Sequence, residues 1–330
     1  MTLQIIPSDV LQIIINFLLI KDASRCMITN KTLLEIVKKL YIGNLKNKIK
    51  CPLKDWFNTF PNALKINIAN RSNITGPELL YLSKIEILDM HLCTHSSIND
   101  YTFKNLLKLK HLDLQGCYGH NFTDKAFIHF KNLETFYIDN NHEITDKAFH
   151  NLIKIKDLTI HNCSNISTNG LSNLTTLVKL NIYNLYNLDD DVFKKLSNLK
   201  ELDMTFGNIT DIGIGYLHNL KILKLLSCKN IKCIDFDKLT KLTYLSIDGP
   251  WISDETLISF KNIKELILYG CKNINGSGFK NLINVVNMSI YQCPILNTYL
   301  NDLYILNKIK VLHVYRCPSI TDFTRKFNLI

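Results

Sequence analysis

The sequence predicts an α/β solenoid preceded by a short helical segment. An apolar pattern recurs every 21 to 24 residues, each copy joins a strand-like half to a helix-like half, and residues 1–50 lack the pattern. Because a fixed period of this length is typical of repeat architectures, the repeat decides the fold.

Eleven copies of the pattern follow one another without interruption. They begin at Ile85, Leu109, Leu133, Ile155, Leu177, Leu199, Leu220, Leu242, Ile263, Val285 and Ile309. A weaker copy begins at Ala63. Each copy has apolar residues at the first, fourth and sixth positions. Eight copies then have a Cys or Asn, and an apolar residue and a polar pair lead into a second apolar run.

The first half of each repeat has the two-residue period of a strand. Leu112 and Leu114 therefore point to one side, and strands of successive repeats would stack about 4.8 Å apart. A single repeat cannot bury these leucines, so neighbouring repeats must bury them jointly. Eleven strands at this spacing predict an elongated molecule with a sheet about 50 Å long.

The second half of each repeat predicts a short helix. Ala126, Phe127 and Phe130 have helical spacing. Thr123 is placed to cap the helix, and Asp124 lies in the first turn, where the helix dipole favours an acid. The same pair recurs as Thr145-Asp146, Thr210-Asp211, Ser253-Asp254 and Thr321-Asp322.

The repeat resembles the leucine-rich repeat, and in particular its cysteine-containing variety. The resemblance implies a right-handed solenoid of about 11–12 repeats over residues 63–330, with a parallel sheet on the concave side and short helices on the convex side. It also implies that the residue after the strand turns inward and bonds to the loop backbone. That position holds Cys93, Cys117, Cys163, Cys228, Cys271, Cys293 and Cys317, with Asn141 in one repeat.

The alternative for these cysteines is a metal site, because three of them would stack in adjacent repeats. Zinc commonly takes four ligands in closely paired spacing, and the sequence has no such pair. We therefore predict buried structural thiols, no metal and no cofactor. Distance alone would allow disulfides between stacked cysteines, and we interpret any such bond as an oxidation artefact.

Composition favours an intracellular protein. The chain has ten cysteines, and its apolar run from Val10 to Ile20 lacks the basic segment of a secretory signal. That run is also shorter than the roughly 20 residues that span a bilayer. We expect a reducing cytoplasmic or nuclear compartment, which is that of the host cell if the protein is viral.

Residues 1–50 are similar to an F-box, a motif of short helices. The matching features are Ile6-Pro7, Asp9-Val10, Ile14, Phe17-Leu18, Asp22 and Asn30-Lys31. Thr32-Leu33 stand where many F-boxes carry a tryptophan. The resemblance implies docking on the small adaptor of a cullin-type ubiquitin ligase. The residues expected to contact that adaptor are Ile6, Pro7, Val10, Ile13, Ile14, Phe17 and Leu18.

The alternative interpretation of this segment is a cap that only covers the end of the solenoid. Residues 51–62 would join it to the repeats, in an ordered junction that buries Trp56, Phe57 and Phe60.

The solvent-facing strand positions are mainly acidic. They hold Asp89, Asp113, Asp139, Asp157, Glu201, Asp203, Asp248 and Glu265, against the lysines Lys179 and Lys224. A nucleic-acid ligand requires a basic surface, so this face predicts no specific nucleic-acid partner, although the net charge is +10. We predict two protein-binding patches, since aromatic and arginine residues often anchor interfaces. One contains Asp89, Asp113 and Asp139, and the other contains Tyr244, Tyr269, Tyr291, Tyr315, His313 and Arg316.

Enzyme classes find no support in the motifs. The sequence contains no Gly-rich phosphate loop and no G-x-S-x-G, and His111 with Asp113 lacks a nucleophile. Two functions remain: the substrate-binding subunit of a cullin-type ubiquitin ligase, or a stand-alone interaction scaffold. They differ in whether the amino-terminal segment binds the adaptor.

Overall fold

The computed structural model describes residues 51–118, 122–296, 298–299, 308–319 and 323–326. The predictions for residues 1–50, including the seven adaptor-contact residues, and for the Thr321-Asp322 pair lie outside these residues. The chain divides into two compact halves, Met1–Thr159 and Ile160–Ile330. Within each half, the order of the strands in the sheet is their order in the chain.

The first half alternates strands with short helices. Its helices are α1 (Leu53–Thr59), α2 (Gly76–Leu79) and α3 (Asp100–Phe103), with 3-10 segments at Leu80–Leu82, Asp124–His129 and Asp146–Asn151. Its strands are β1 (Lys65–Asn67), β2 (Ile87–Asp89), β3 (His111–Leu114) and β4 (Thr135–Asp139); β5 (Asp157–His161) contains the boundary. The parallel register places Leu88 beside Leu112 and Leu112 beside Phe136.

The second half repeats this arrangement. Its strands are β6 (Lys179–Tyr183), β7 (Glu201–Thr205), β8 (Ile222–Leu226), β9 (Tyr244–Asp248), β10 (Glu265–Tyr269), β11 (Asn287–Tyr291), β12 (Val311–Tyr315) and β13 (Phe323–Lys326). Its helices are α4 (Thr168–Leu171) and α5 (Asp211–Gly215), with 3-10 segments at Asp190–Lys195, Phe236–Lys238, Thr256–Ser259 and Phe279–Asn281. Strands β6 to β12 pair in parallel. Strand β13 pairs antiparallel with β12, which the repeat pattern does not predict.

The predicted alternation of strand side chains is confirmed. In β7, Leu202 and Met204 are fully buried, while Glu201, Asp203 and Thr205 are half-buried on the other side. Burying a side chain of this size contributes about 1.5–3 kcal/mol, so the inward positions of the strands supply much of the core.

After many of the strands, within three residues, the backbone adopts the left-handed conformation with positive φ. At the non-glycine residues of this kind φ lies between 49° and 59°. These residues are Asn70, Leu92, Asn140, Asn162, Asn184, Phe206, Ser227, Gln292 and Arg316. Leu92, Asn140 and Arg316 each directly precede the cysteine or asparagine of the repeat. This backbone reversal directs the following side chain into the core.

The cysteine prediction is confirmed in its structural part. All seven repeat cysteines are buried. The thiol of Cys93 donates to the Ile68 carbonyl at 3.0 Å, and that of Cys117 donates to the Met90 carbonyl at 3.0 Å. Burial raises the pKa of Cys93 to about 11, so this thiol stays protonated and keeps its proton for the bond.

Asparagine serves the same loop in the opposite role. The Asn141 side-chain oxygen accepts the backbone N–H groups of Glu143 and Ile144 at 2.9 and 2.8 Å. Cysteine therefore donates to a backbone carbonyl, whereas asparagine accepts from backbone amides.

The predicted helix caps are confirmed at three repeats and wrong at a fourth. Thr123, Thr145 and Thr210 each accept a backbone N–H two residues on. Ser253 does not cap a helix, because the 3-10 segment of its repeat begins three residues later, at Thr256. Instead, the Ser253 N–H donates to the Thr256 hydroxyl at 3.2 Å.

The aspartate of the pair also joins one repeat to the next, a role that the sequence interpretation did not include. Asp124 accepts both the N–H and the hydroxyl of Thr145 at 2.7 Å. Asp190, which follows the capping residue Asp189 in its own repeat, does the same for Thr210 at 2.8 and 2.6 Å. These bonds satisfy polar groups at the start of the following helical segment.

The junction is ordered. Trp56 and Phe60 are buried in and after α1, and Phe57 is half-buried with its ring at 4.8 Å from that of Trp56. Among the residues described, no helix combines the length and apolar character needed to cross a bilayer.

Candidate functional site

The candidate site is the open face of the sheet, meaning the strand side chains that alternate with those of the core. Parallel register arranges these side chains in rows, because each residue lies beside its counterpart in the next repeat. The two halves carry different chemistry on this face and are described separately.

The first half carries an acidic patch formed by Asp89, Asp113 and Asp139. Asp89 lies beside Asp113 in the register, and Asp113 lies beside Tyr137. Asp139 lies two residues further along its strand and accepts the Gly116 N–H. Asp139 therefore belongs to the row nearer the turns, whereas Asp89 and Asp113 share the middle row.

Burial raises the pKa of Asp113 to about 6, and the negative charges of Asp89 and Asp139 act in the same direction. The backbone N–H of Gln115 offsets part of this effect. Asp113 therefore changes its charge closer to neutral pH than an ordinary aspartate does. A cationic group bound beside it would hold it ionised.

Two further side chains border the acidic patch. The Tyr137 hydroxyl donates to Asp157 at 3.0 Å, and burial followed by the Asp157 charge raises the pKa of Tyr137. The ring of His111 meets that of Tyr137 edge to face at 5.4 Å. Burial lowers the pKa of His111, which favours the neutral ring.

One group within this patch has the ligand types of a metal site. Ligand atoms of Asp89, His91 and Asp113 lie within 4.8 Å of one another. However, His91 Nδ1 already bonds to Asp89 Oδ1 at 2.6 Å, and Asn67 donates to Asp89 Oδ2 at 2.7 Å. The sequence interpretation missed this group because His91 lies beyond the end of β2, although the two-residue spacing from Asp89 could have indicated it.

The second half begins with a cleft of mixed charge. The cleft has a volume of about 310 Å³ and is lined in part by Lys179, Glu201, Asp203, Lys224 and Tyr244. Lys224 pairs with Asp203 at 3.1 Å, and Lys179 lies 3.9 Å from Glu201. These lysines offset two of the predicted acids, so the acidic character is concentrated in the first half.

Tyr244 belongs to this cleft. It begins β9 and lies beside Glu265, whereas Tyr269 lies beside Asp248 at the other end of the strand. The Lys224 ammonium lies 5.9 Å from the Tyr244 ring. The expected tyrosine patch therefore lacks Tyr244.

The remaining tyrosines form a stack at the carboxyl ends of adjacent strands. Tyr269, Tyr291 and Tyr315 share one row of the register. The first two rings are stacked at 4.8 Å, and the third meets Tyr291 at 6.2 Å. The Arg316 guanidinium lies 5.1 Å from the Tyr315 ring. His313 lies two residues away in the middle row, beside Ser289.

Comparison with known proteins agrees with this geometry. Residues 120–246 match the model described as "BspA type Leucine rich repeat region", in six copies. The fold is that of a leucine-rich-repeat solenoid. No curated protein matches the chain.

Solved leucine-rich-repeat structures share the fold at low sequence identity. A Listeria monocytogenes internalin, InlF, is 18% identical with a TM-score of 0.59, over 88% of this chain and 83% of that one. A chain from the Rad7–Elc1 complex of yeast is 17% identical with a TM-score of 0.55, over 95% and 89%. A chain from a complex of TLR13 with a single-stranded RNA is 21% identical with a TM-score of 0.51, over 88% and 52%.

The matched repeats and the open face make the leucine-rich-repeat region a protein-interaction scaffold. Stacked repeats of this kind present an extended surface to a partner. The first half offers the acidic patch for such binding, and the second half offers the mixed-charge cleft and the tyrosine stack.

Proposed function

We propose that the protein is the substrate-recognition subunit of a cullin-type ubiquitin ligase. The observation that carries the proposal is the order of two sequence features: an F-box-like segment at residues 1–50 and a leucine-rich-repeat scaffold after it. In this arrangement the first segment binds the ligase adaptor and the open face binds the substrate.

Two properties of the open face support substrate binding. The tyrosine stack presents large rings beside Arg316, and such residues dominate the free energy of many interfaces. The acidic patch offers carboxylates that suit a cationic segment of the partner. The Rad7–Elc1 neighbour was solved together with another protein, which is consistent with this use of the fold.

The test is capture of a purified cullin-linked adaptor by the full chain. We expect Pro7→Ala with Phe17→Ala to abolish capture while thermal unfolding of the repeats is unchanged. The matched control is Ile212→Ala with Ile258→Ala, which removes exposed apolar side chains from the repeats. The control variant should still capture the adaptor.

The other candidate is a stand-alone scaffold whose first segment only covers the end of the solenoid. It predicts no capture by the unmodified chain, together with a lower unfolding temperature when Phe17 is removed. Absence of capture with an intact fold would end the ubiquitin-ligase proposal and leave the scaffold.

A further inference from the structure

A row of lysines runs along the amino-terminal ends of the strands in the second half. Lys200, Lys221, Lys264 and Lys310 each directly precede a strand, and all four are exposed. We call these four residues the lysine strip. The backbone places them in line, since Lys221 N–H donates to the Lys200 carbonyl at 2.8 Å and each later repeat continues this pattern.

The same position in the first half is electrically balanced. It holds Glu86, Lys110, Glu134 and Lys156, in alternating charge. Lys110 pairs with Glu86 at 2.9 Å, and Lys156 pairs with Glu134 at 2.7 Å. The repeats therefore neutralise this edge of the sheet in one half and leave it cationic in the other.

Nothing acidic opposes the lysine strip within its own row. The positions between the lysines hold Thr243 and Val286, and Val178 precedes the first of them. Among the residues that the structure describes, no ion pair involves a lysine of the strip. Successive lysines of the strip lie one or two strands apart, and such a row of like charges favours an anionic partner, because association relieves their mutual repulsion.

Apolar side chains lie among these lysines. Val286 lies in the row between Lys264 and Lys310 and is half-buried, and Ile283, three residues earlier, is 59% exposed. The phosphate backbone of a nucleic acid has no apolar group that would pack against these side chains. The strip also contains no aromatic residue for base stacking and no arginine for bidentate phosphate contacts.

We infer that the lysine strip binds an acidic peptide segment that carries an apolar side chain among its acidic residues. The carboxylates pair with Lys264 and Lys310, and the apolar side chain packs on Val286. This surface lies at the strand ends rather than on the open face, and the inference does not rest on the ubiquitin-ligase role.

The test is binding of a fluorescein-labelled peptide of repeated Glu-Glu-Val to the full chain, followed by fluorescence anisotropy. Lys264→Gln with Lys310→Gln should weaken binding about tenfold. The matched control, Lys110→Gln with Lys156→Gln, removes the same charge from the same repeat position in the first half. It should change affinity by less than about twofold, because those lysines are already paired.

Two further measurements separate an acidic peptide from a general polyanion. Val286→Ser should weaken binding of the Glu-Glu-Val peptide roughly threefold or more, and it should leave binding of a glutamate-only peptide unchanged. Equal loss of peptide affinity in the two double variants would overturn the inference, because it would show that only the net charge of the protein matters. Tighter binding of duplex DNA than of the peptide, unaffected by Val286→Ser, would overturn it in favour of nucleic acid, and absence of peptide binding at low salt would also overturn it.

Discussion

Cysteine and asparagine share one position of the repeat because both bond to the backbone that encloses it. Cys117 donates to the previous repeat, and Asn141 accepts from its own loop. The left-handed residue before each of them turns the side chain inward. At the scale of single residues, the backbone conformation therefore determines that this side chain points inward. The side chain itself only has to form a hydrogen bond with the surrounding backbone.

Cys117→Ser should lower the free energy of unfolding by about 1–3 kcal/mol, since a more polar and smaller group replaces a buried thiol. Urea unfolding measures the change. Cys233→Ser is the control, because Cys233 is exposed, and it should leave the unfolding curve unchanged. A Cys117→Ser variant as stable as the unmodified chain would contradict the structural role of this thiol.

Asp113 should make stability depend on pH. Burial raises its pKa to about 6, above the value of about 4 in an unfolded chain. The folded state therefore holds more protons between these values, and its free energy of unfolding falls as pH rises from about 4 to about 6. Asp113→Asn removes this loss and should stabilise the chain at pH 7 by about 1 kcal/mol, after allowance for solvent screening.

Urea unfolding at acidic and neutral pH measures this effect. The two proteins should have equal stability near pH 4 and diverge towards pH 7. Glu134 provides a comparison of opposite sign, because its hydrogen bond with Lys156 lowers its pKa. Its stabilisation is present at neutral pH and lost in acid, so Glu134→Gln should be less stable than the unmodified chain only at the higher pH. Parallel profiles for Asp113→Asn and the unmodified chain would contradict the assignment.

At the scale of the strand and helix, the periodicity of the sequence predicts which side of a strand is buried and where a helix begins. Alternating Leu112 and Leu114 predicted a strand with one buried side, and Thr123 predicted a cap. The tie between Asp124 and Thr145 depends on how two repeats lie against each other, so no single repeat reveals it. The position of Tyr244 could be predicted only in part. Its outward orientation follows from the alternation of side chains along a strand, but the row to which it belongs depends on how neighbouring strands pair.

Asp124→Ala should lower the free energy of unfolding by about 1–3 kcal/mol, because the Thr145 N–H and hydroxyl lose their acceptor in a partly buried place. Thermal or urea unfolding measures the loss. Lys125→Ala is the control, since Lys125 is the exposed neighbour on the same segment. Equal stability of the two variants would show that water replaces the aspartate without cost.

At the scale of the whole molecule, binding depends on rows of side chains that several repeats build together. Alanine at Tyr269, Tyr291 and Tyr315 should weaken partner binding by about 2 kcal/mol or more, because the stack is lost as a unit. Calorimetry with an identified partner measures it. Alanine at Tyr81 and Tyr101, which are exposed in the first half, is the control. Unchanged affinity of the triple variant would show that these tyrosines only favour strand structure.

The hydrogen bonds between successive repeats join residues that are close in the sequence. The bonded residues are 20 to 27 positions apart. A repeat can thus dock on its predecessor as soon as it has itself left the ribosome, without waiting for a distant segment. The growing chain covers one apolar strand face at a time, so only the most recent repeat is exposed to aggregation during synthesis.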